Sequence, residues 1–96
     1  MEILTELTHE ENEEIRILIE KRDALKNLLM LLKQKKENNK LLQNAEIEYE
    51  MICKAYEAWW SEIIVKYAIQ KYKEEKLSVD CEKRVIIYKK DRKIEE

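Results

Sequence analysis

Glycine, proline and phenylalanine are absent from this 96-residue sequence, and histidine occurs once, at His9. Without glycine, the chain cannot contain a phosphate-binding glycine loop or a turn whose conformation requires that residue. A single histidine excludes a site built from several histidines, such as the Glu-x-x-His pairs of ferritin-like di-iron proteins. Cys53 and Cys81 lie far apart and match no metal-ligand spacing such as Cys-x-x-Cys. We therefore expect a protein without catalytic residues, cofactor or metal.

Long apolar runs and a strong charge of one sign are lacking too. No uncharged apolar segment approaches the roughly 20 residues that cross a bilayer, and the opening MEILTEL has glutamates without the basic residues of a secretory signal. A net charge of −2 argues against a dedicated nucleic-acid-binding protein, which normally carries a basic patch. We expect a cytoplasmic protein with reduced thiols, in which Cys53 is a small core residue and Cys81 an exposed thiol in a turn.

What the sequence does contain is typical of long helices, because 42% of its residues are charged and 45% are hydrophobic. The first helix is predicted over about 8–36. Thr8 and Glu11 mark its start, since their spacing fits a capping box in which each side chain bonds the other residue's amide. A heptad-like stripe at 3-4 spacing, apolar except for a break at Arg22, predicts packing against a second helix and consists of Ile15, Leu18, Arg22, Leu25, Leu29 and Leu32.

A second stripe on the same helix widens its apolar surface. This stripe runs through Ile17, Ala24, Leu28 and Leu31, beside the first one. A two-helix hairpin alone would leave much of such a wide apolar arc in water. The pattern therefore predicts either a further layer of structure or another copy of the chain, and we expect a homo-oligomer, namely a dimer.

The sequence KQKKENNK at 33–40 is wholly polar, and its asparagines tolerate the left-handed conformation that ends a helix when glycine is missing. It predicts a turn at 37–40, with one uninterrupted helix as the alternative. The second helix is predicted over about 41–71. Its heptad stripe contains Leu42, Ala45, Tyr49, Ile52, Tyr56, Trp59 and Ile63, and a flanking stripe contains Cys53, Trp60, Ile64 and Tyr67. Because adjacent helical residues point about 100° apart, one tryptophan can pack in the hairpin seam while the other faces a third element.

The pattern changes after Tyr72. Val85, Ile86, Ile87 and Tyr88 are β-branched or aromatic, and the segment 77–88 predicts a β-hairpin that turns between Asp80 and Arg84. A two-stranded ribbon is barely stable alone, so we expect it to lie on the second tryptophan stripe. Residues 2–7 permit a short strand or a frayed helical lead-in, and the tail 89–96 is charged. The predicted fold is one mainly α domain over 1–96, a long antiparallel two-helix hairpin followed by a short C-terminal β-hairpin.

Three segments together resemble a known family. They are THEENEEIRILIEKRDALKNL at Thr8 to Leu28, WWSEIIVKY at Trp59 to Tyr67, and LSVDCEKRVIIY at Leu77 to Tyr88. In order and approximate spacing they are similar to the small proteins known as CXXX repeat peptide modification system proteins. The resemblance implies an accessory role in maturing a ribosomally made peptide, by binding the precursor peptide, its radical-SAM-type maturase, or both. It carries over no catalytic residue.

A partner-binding surface is predicted from these segments, formed by Trp60, Ile64 and Tyr67 of the second helix with Val85 and Ile87 of the hairpin. A peptide could add as an extra strand to an unpaired edge of the C-terminal ribbon. Two other functions stay open. One is an oligomeric coiled-coil protein of phage or mobile-element origin. The other is a small all-helical enzyme like chorismate mutase, to which the segment Ile15 to Asp23 has a weak likeness.

Overall fold

A computed structural model of the chain describes residues 2–35 and 39–89. In chain order the elements are β1 (Glu2–Glu6), α1 (His9–Lys35), α2 (Asn39–Lys66), a 3₁₀ turn (Glu74–Lys76), β2 (Leu77–Asp80) and β3 (Val85–Tyr88). The two long helices run antiparallel, and the three strands form a small antiparallel sheet. The predicted fold class, a mainly α helical hairpin with a C-terminal β-hairpin, is therefore confirmed.

The start of α1 follows from the capping box predicted at Thr8. The Glu11 amide donates to Thr8 Oγ1 at 3.1 Å, and the Thr8 amide donates to Glu11 Oε1 at 2.9 Å. These bonds satisfy two amides that a helix N-terminus otherwise leaves unpaired. His9 is the first helical residue and is exposed, as expected for a position in a solvated first turn.

The second helix begins about two residues earlier than predicted. The turn expected at 37–40 falls partly on residues outside the described part of the chain, and α2 already begins at Asn39. Lys35 and Asn39 belong to separate helices, so the structure has a hairpin rather than one uninterrupted helix. The predicted charged tail also lies outside the described residues, beyond Lys89.

The end of α2 corrects the sequence prediction, because the helix stops at Lys66 instead of continuing to about residue 71. The Ile69 amide bonds the Ile64 carbonyl at 3.0 Å, and the Ala68 amide bonds the Val65 carbonyl at 3.2 Å. Ala68 has φ of 55°, so this is a Schellman motif with alanine in the left-handed position that glycine usually fills. Without that glycine, the sequence had no local signal for the stop.

The sheet has the order β1-β3-β2, so the third of the described strands is the central one. The β2–β3 hairpin follows the prediction, with a four-residue turn from Cys81 to Arg84. Asp80 Oδ1 accepts the amides of Glu82 at 3.1 Å and Lys83 at 3.2 Å, which holds this turn together. Residues 2–6 form a strand on the other side of β3, which settles the alternative left open by the sequence.

One end of the hairpin contains most of the core. The side chains buried together there are Leu7, Ile15, Trp59, Trp60, Ile63, Ile69, Leu77 and Ile86. At the opposite end, near the helix connection, Leu29 and Ala45 are the buried apolar side chains among the described residues. The sheet covers only one end of two helices that are 27 and 28 residues long. The radius of gyration, 16.5 Å, consequently exceeds the roughly 12.5 Å of a compact chain of this length.

Candidate functional site

The five residues of the predicted partner-binding surface do not form one surface. Trp60 is only 3% exposed, and it packs in the core with the half-buried side chains of Ile64 and Tyr67. Val85 is 6% exposed and Ile87 is half-buried. Side chains alternate along a strand, and Ile86 is the residue of β3 that enters the core, so Val85 and Ile87 lie on the outer face of the sheet. The helical and the strand residues are thus on opposite sides of the sheet, and a partner role for them stays a prediction.

The two tryptophans occupy the positions that their helical spacing allowed. Their rings meet edge to face, with centroids 5.1 Å apart and planes at 88°. Trp60 packs under the sheet, while Trp59 also lines an open groove between the helices. The Trp59 Nε1 group is buried and has no hydrogen-bond partner among the described residues. The aromatic pair therefore links the sheet-covered core to an uncovered surface on the other side of the hairpin.

Glu11 connects the first turn of α1 to the last turn of α2. Besides capping its own helix, its carboxylate accepts a 2.6 Å hydrogen bond from the Tyr67 hydroxyl and pairs with the Lys66 ammonium group. The Glu11 side chain is 12% exposed, whereas that of Lys66 is 55% exposed. Three local elements thus meet at one carboxylate: the capping turn at Thr8, the end of α2, and its Schellman motif.

These contacts shift the pKa of the groups involved. Burial raises the pKa of the Glu11 carboxyl, but the hydrogen bonds from Lys66, Tyr67 and the Thr8 amide outweigh it and lower the pKa to about 2. The hydrogen bond to Glu11 raises the pKa of the Tyr67 hydroxyl and of the Lys66 ammonium group. Each shift favours the protonation state that the contacts require, so the cluster has the properties of a structural clasp.

Asn12 ties α1 to the β2–β3 turn. It is 4% exposed, and its Nδ2 donates to the Cys81 carbonyl at 3.0 Å, while its Oδ1 has no hydrogen-bond partner in the described part of the chain. Cys81 lies in a turn as predicted, but it is half-buried against the core and not exposed. Burial raises the pKa of the Cys81 thiol, which disfavours the reactive thiolate. Cys53 is half-buried as well, and both cysteines are free.

A groove with a volume of about 430 Å³ runs along the α1–α2 seam. Its lining consists of Glu14, Ile17, Leu18, Ala55, Ala58, Trp59 and Glu62. A second depression continues the line toward the helix connection and is lined by Lys21, Ala24, Leu25, Glu48 and Ile52. We call the side of the hairpin that contains both depressions the groove face. Arg16, Arg22 and Arg84 are absent from these linings, and no cluster of cations from residues 2–35 or 39–89 converges on either depression.

The first two of those arginines are engaged elsewhere. Arg16 bonds Glu13 at 2.6 Å and Glu20 at 2.8 Å on the helix surface. The Arg22 guanidinium lies 4.7 Å from the centre of the Tyr56 ring and 3.5 Å from Asp23. The segment that has a likeness to chorismate mutases thus holds these guanidinium groups in local pairs.

The sheet has two outer edges, one on β1 and one on β2, and neither pairs with another strand in the described part of the chain. The pairing of β1 with β3 is interrupted by an irregularity between Ile3 and Thr5, which disturbs that edge. The pairing of β2 with β3 is regular over all four residues of β2. The sequence prediction assumed an unpaired edge of the C-terminal ribbon without saying on which strand; β1 occupies the edge of β3, so β2 provides the regular open edge.

The alternation of the ladder shows which backbone groups of β2 point outward. The Lys89 amide bonds the Lys76 carbonyl at 3.0 Å, so Ser78 and Asp80 also point their backbone groups at β3. Leu77 and Val79 then point outward. The Leu77 amide bonds the Glu74 carbonyl of the 3₁₀ turn. The outward groups left for a partner are the Leu77 carbonyl and both backbone groups of Val79.

Metal-binding and membrane-spanning features were sought in residues 2–35 and 39–89. No group of three or more histidine, cysteine, aspartate or glutamate side chains in this part of the chain could hold a metal ion. None of its helices is long and apolar enough to span a membrane. In comparisons with known proteins, no family model, no curated protein and no solved structure matches the chain. The likeness to CXXX repeat peptide modification system proteins therefore stays a prediction.

Proposed function

We propose that this is a non-enzymatic accessory protein of the cytoplasm that binds a peptide by strand addition. In the setting that the sequence resemblance implies, the partner is the precursor peptide of a ribosomal-peptide modification system, its maturase, or both. The observation that carries the proposal is the regular, open outer edge of β2 over Leu77–Asp80. An extended peptide can pair with such an edge through its main chain while alternate side chains provide specificity.

The geometry of the edge sets limits on the complex. Three outward backbone groups allow about three hydrogen bonds, each contributing roughly 0.5–1.5 kcal/mol net. That contribution alone gives weak binding, so side chains of the peptide must add to it. On the inner face an added strand would lie beside Val79, and on the outer face beside Ser78. We therefore expect a peptide with an apolar residue at the position next to Val79.

The experiment is calorimetry with purified protein, the precursor peptide and the maturase encoded beside its gene. We expect the peptide, the maturase or both to bind, and absence of any binding would overturn the proposal. Val79→Pro removes an outward amide and is expected to abolish peptide binding. Val79→Ala loses similar packing but keeps the amide, so it serves as the matched control and is expected to bind.

A second candidate function is supported by the groove face. Its apolar side chains are exposed, as in a coiled-coil protein of phage or mobile-element origin that works through self-association. Gene neighbours distinguish the candidates, because a cysteine-repeat precursor and a maturase beside the gene favour the accessory role. An absorbance assay with chorismate tests the enzyme alternative, for which we expect no turnover.

A further inference from the structure

The groove face lies on the side of the hairpin away from the sheet. Asn12 bonds the β2–β3 turn, and Lys21 lines the groove nine residues later. At 3.6 residues per turn, nine residues are two and a half turns, so the two side chains point in opposite directions from α1. Trp60 and Met51 are related in the same way on α2. The sheet therefore leaves the groove face open along the hairpin.

Both helices carry a second seam on this face, which is apolar at Ile17, Ala24, Leu28 and Leu31 of α1 and at Met51, Ala55 and Ala58 of α2 and polar at its other positions. On α1, positions 14, 17, 21, 24, 28 and 31 follow alternating steps of three and four, and on α2 so do positions 44, 48, 51, 55, 58 and 62. Ile17 is 41% exposed, Leu28 38%, Leu31 56% and Met51 64%. Alternating steps of three and four are the spacing by which helices pack against a partner helix. Each helix already uses one such seam within the hairpin, and two adjoining seams are typical of a helix in a bundle.

The charge of α1 indicates what the partner is. On the groove face, the charged side chains of α1 are Glu10 and Glu14 near the start of the helix and Lys21 and Lys35 further along it. A second α1 packed antiparallel places Glu10 of each copy beside Lys35 of the other. A parallel arrangement would place like charges together. The helix is therefore self-complementary in one orientation only.

We propose that the groove face binds a second copy of the chain, with the helices of the two copies antiparallel in a four-helix bundle. The spacing along each seam is the same when it is followed in the opposite direction. A two-fold axis can therefore pack each seam against the same seam of the other copy. On α1 it pairs Ile17 with Leu28 of the other copy and Lys21 with Ala24. On α2 it pairs Met51 with Ala55, a large side chain with a small one.

The two seams agree on where the axis passes. On α1 the centre lies between Lys21 and Ala24, and on α2 it lies between Met51 and Ala55. The depressions place Lys21 and Ala24 at the level of Ile52, so both centres lie at one height along the hairpin. A single axis can thus serve both helices, and the two sheets come to lie at opposite ends of the dimer.

The size of this surface suits a weak, reversible dimer. The seam of α1 from Glu14 to Leu31 is roughly 25 Å long, and two helices side by side are about 20 Å wide, which gives about 1,000 Å² for the two copies together. Specific interfaces reach about this size at their lower end. Near the axis, Lys21 lies close to Lys21 of the other copy, and the repulsion between these two charges weakens the association.

The test is sedimentation equilibrium on the full chain, with circular dichroism to confirm folding. We expect a dimer that weakens as salt is added. Leu28→Glu and, as a second variant, Leu31→Glu should each produce a folded monomer. Met30→Glu is the matched control, since Met30 is 56% exposed but points away from the groove face, and it should remain dimeric. Lys21→Leu should tighten the dimer at least tenfold.

Disulfide cross-linking tests the orientation, in a background where Cys53→Ser and Cys81→Ser remove the natural thiols. The pair Ile17→Cys with Leu28→Cys should cross-link between copies, and Ile17→Cys alone should not. A monomer at every concentration, a dimer that survives both glutamate variants, or cross-linking by Ile17→Cys alone would overturn the proposal. The peptide-binding proposal concerns the sheet on the other side of the hairpin, so either can fail without the other.

Discussion

The two ends of the helical hairpin have the same periodicity and very different burial. At the sheet end, Ile15 is fully buried and Trp60 is 3% exposed. Near the helix connection, Met30 and Leu31 are each 56% exposed, although they lie in an equally regular helix. Periodicity thus determines which side chains share a face, and a third layer determines whether that face is buried. The sheet supplies this third layer at one end of the hairpin only.

The largest effect on stability is expected from removing a side chain at the sheet end of the hairpin. Trp60→Ala should lower the free energy of unfolding by about 3–5 kcal/mol, because it leaves a cavity between α2 and the sheet. Met30→Ala removes a large side chain from the uncovered end of the hairpin, on a face away from the groove, and should change it by about 0.5 kcal/mol or less. Urea unfolding measures both values. Equal losses would contradict the difference between the two ends.

The comparison also shows what the sequence could reveal. The capping box was predictable because Thr8 and Glu11 interact within one turn. The stop of α2 at Lys66 was not, since Ala68 adopts a left-handed conformation without the glycine that would signal it. The strand at the N-terminal end is ambiguous locally, because its pairing of Ile3 with Ile87 depends on residues far along the chain. Such a partner leaves no local pattern.

The candidate site was predicted less well than the fold. Helical spacing showed that the tryptophans face two directions, and the expected packing of the C-terminal hairpin on the Trp60 stripe is confirmed. Trp59 belongs to the same core and also lines the groove. The second stripe of α1 was identified correctly as needing a cover, and Ile17, Leu28 and Leu31 are exposed in the structure.

The contacts of Glu11 make the stability of the sheet end depend on pH. The folded pKa of Glu11, about 2, lies below the ordinary value of 4.5, so its stabilisation is present above pH 4.5 and is lost as the pH falls toward 2. Glu11→Gln keeps the capping geometry and removes the charge, and it should cost about 1–3 kcal/mol at neutral pH. The exposed Glu57→Gln is the control. Thermal unfolding from pH 2 to 7 should show a flatter acid limb for the Glu11→Gln variant alone.

A smaller loss of stability is expected when the capping hydroxyl of Thr8 is removed. Thr8→Ala removes the acceptor of the Glu11 amide and should cost about 1 kcal/mol. Thr8→Ser keeps the hydroxyl and should be close to neutral. Chemical denaturation separates the two variants, and an equal cost for both would show that the hydroxyl contributes little.

The smallest effect is an increase in stability. Ala68→Gly should stabilise the protein by about 0.5–1 kcal/mol, because glycine adopts a positive φ without the steric cost that alanine incurs there. Ala58→Gly places the same change within α2, where it should cost about 1 kcal/mol. Calorimetric melting temperatures should therefore move in opposite directions, and a shared direction would contradict the Schellman assignment.

The strand order has a consequence for how the chain folds as it is made. β1 is synthesised first, yet the strand it pairs with, β3, emerges last of the three, and β2 needs the same strand. Until Val85–Tyr88 has left the ribosome, neither β1 nor β2 has a ladder to join, and the inner apolar surface of the helices at Trp60 stays uncovered. The helical hairpin can form early from local contacts, whereas the sheet waits for a closure that spans most of the chain. We therefore expect the pairing of β3 with β1 and β2 to be a late folding step that follows formation of the helical hairpin.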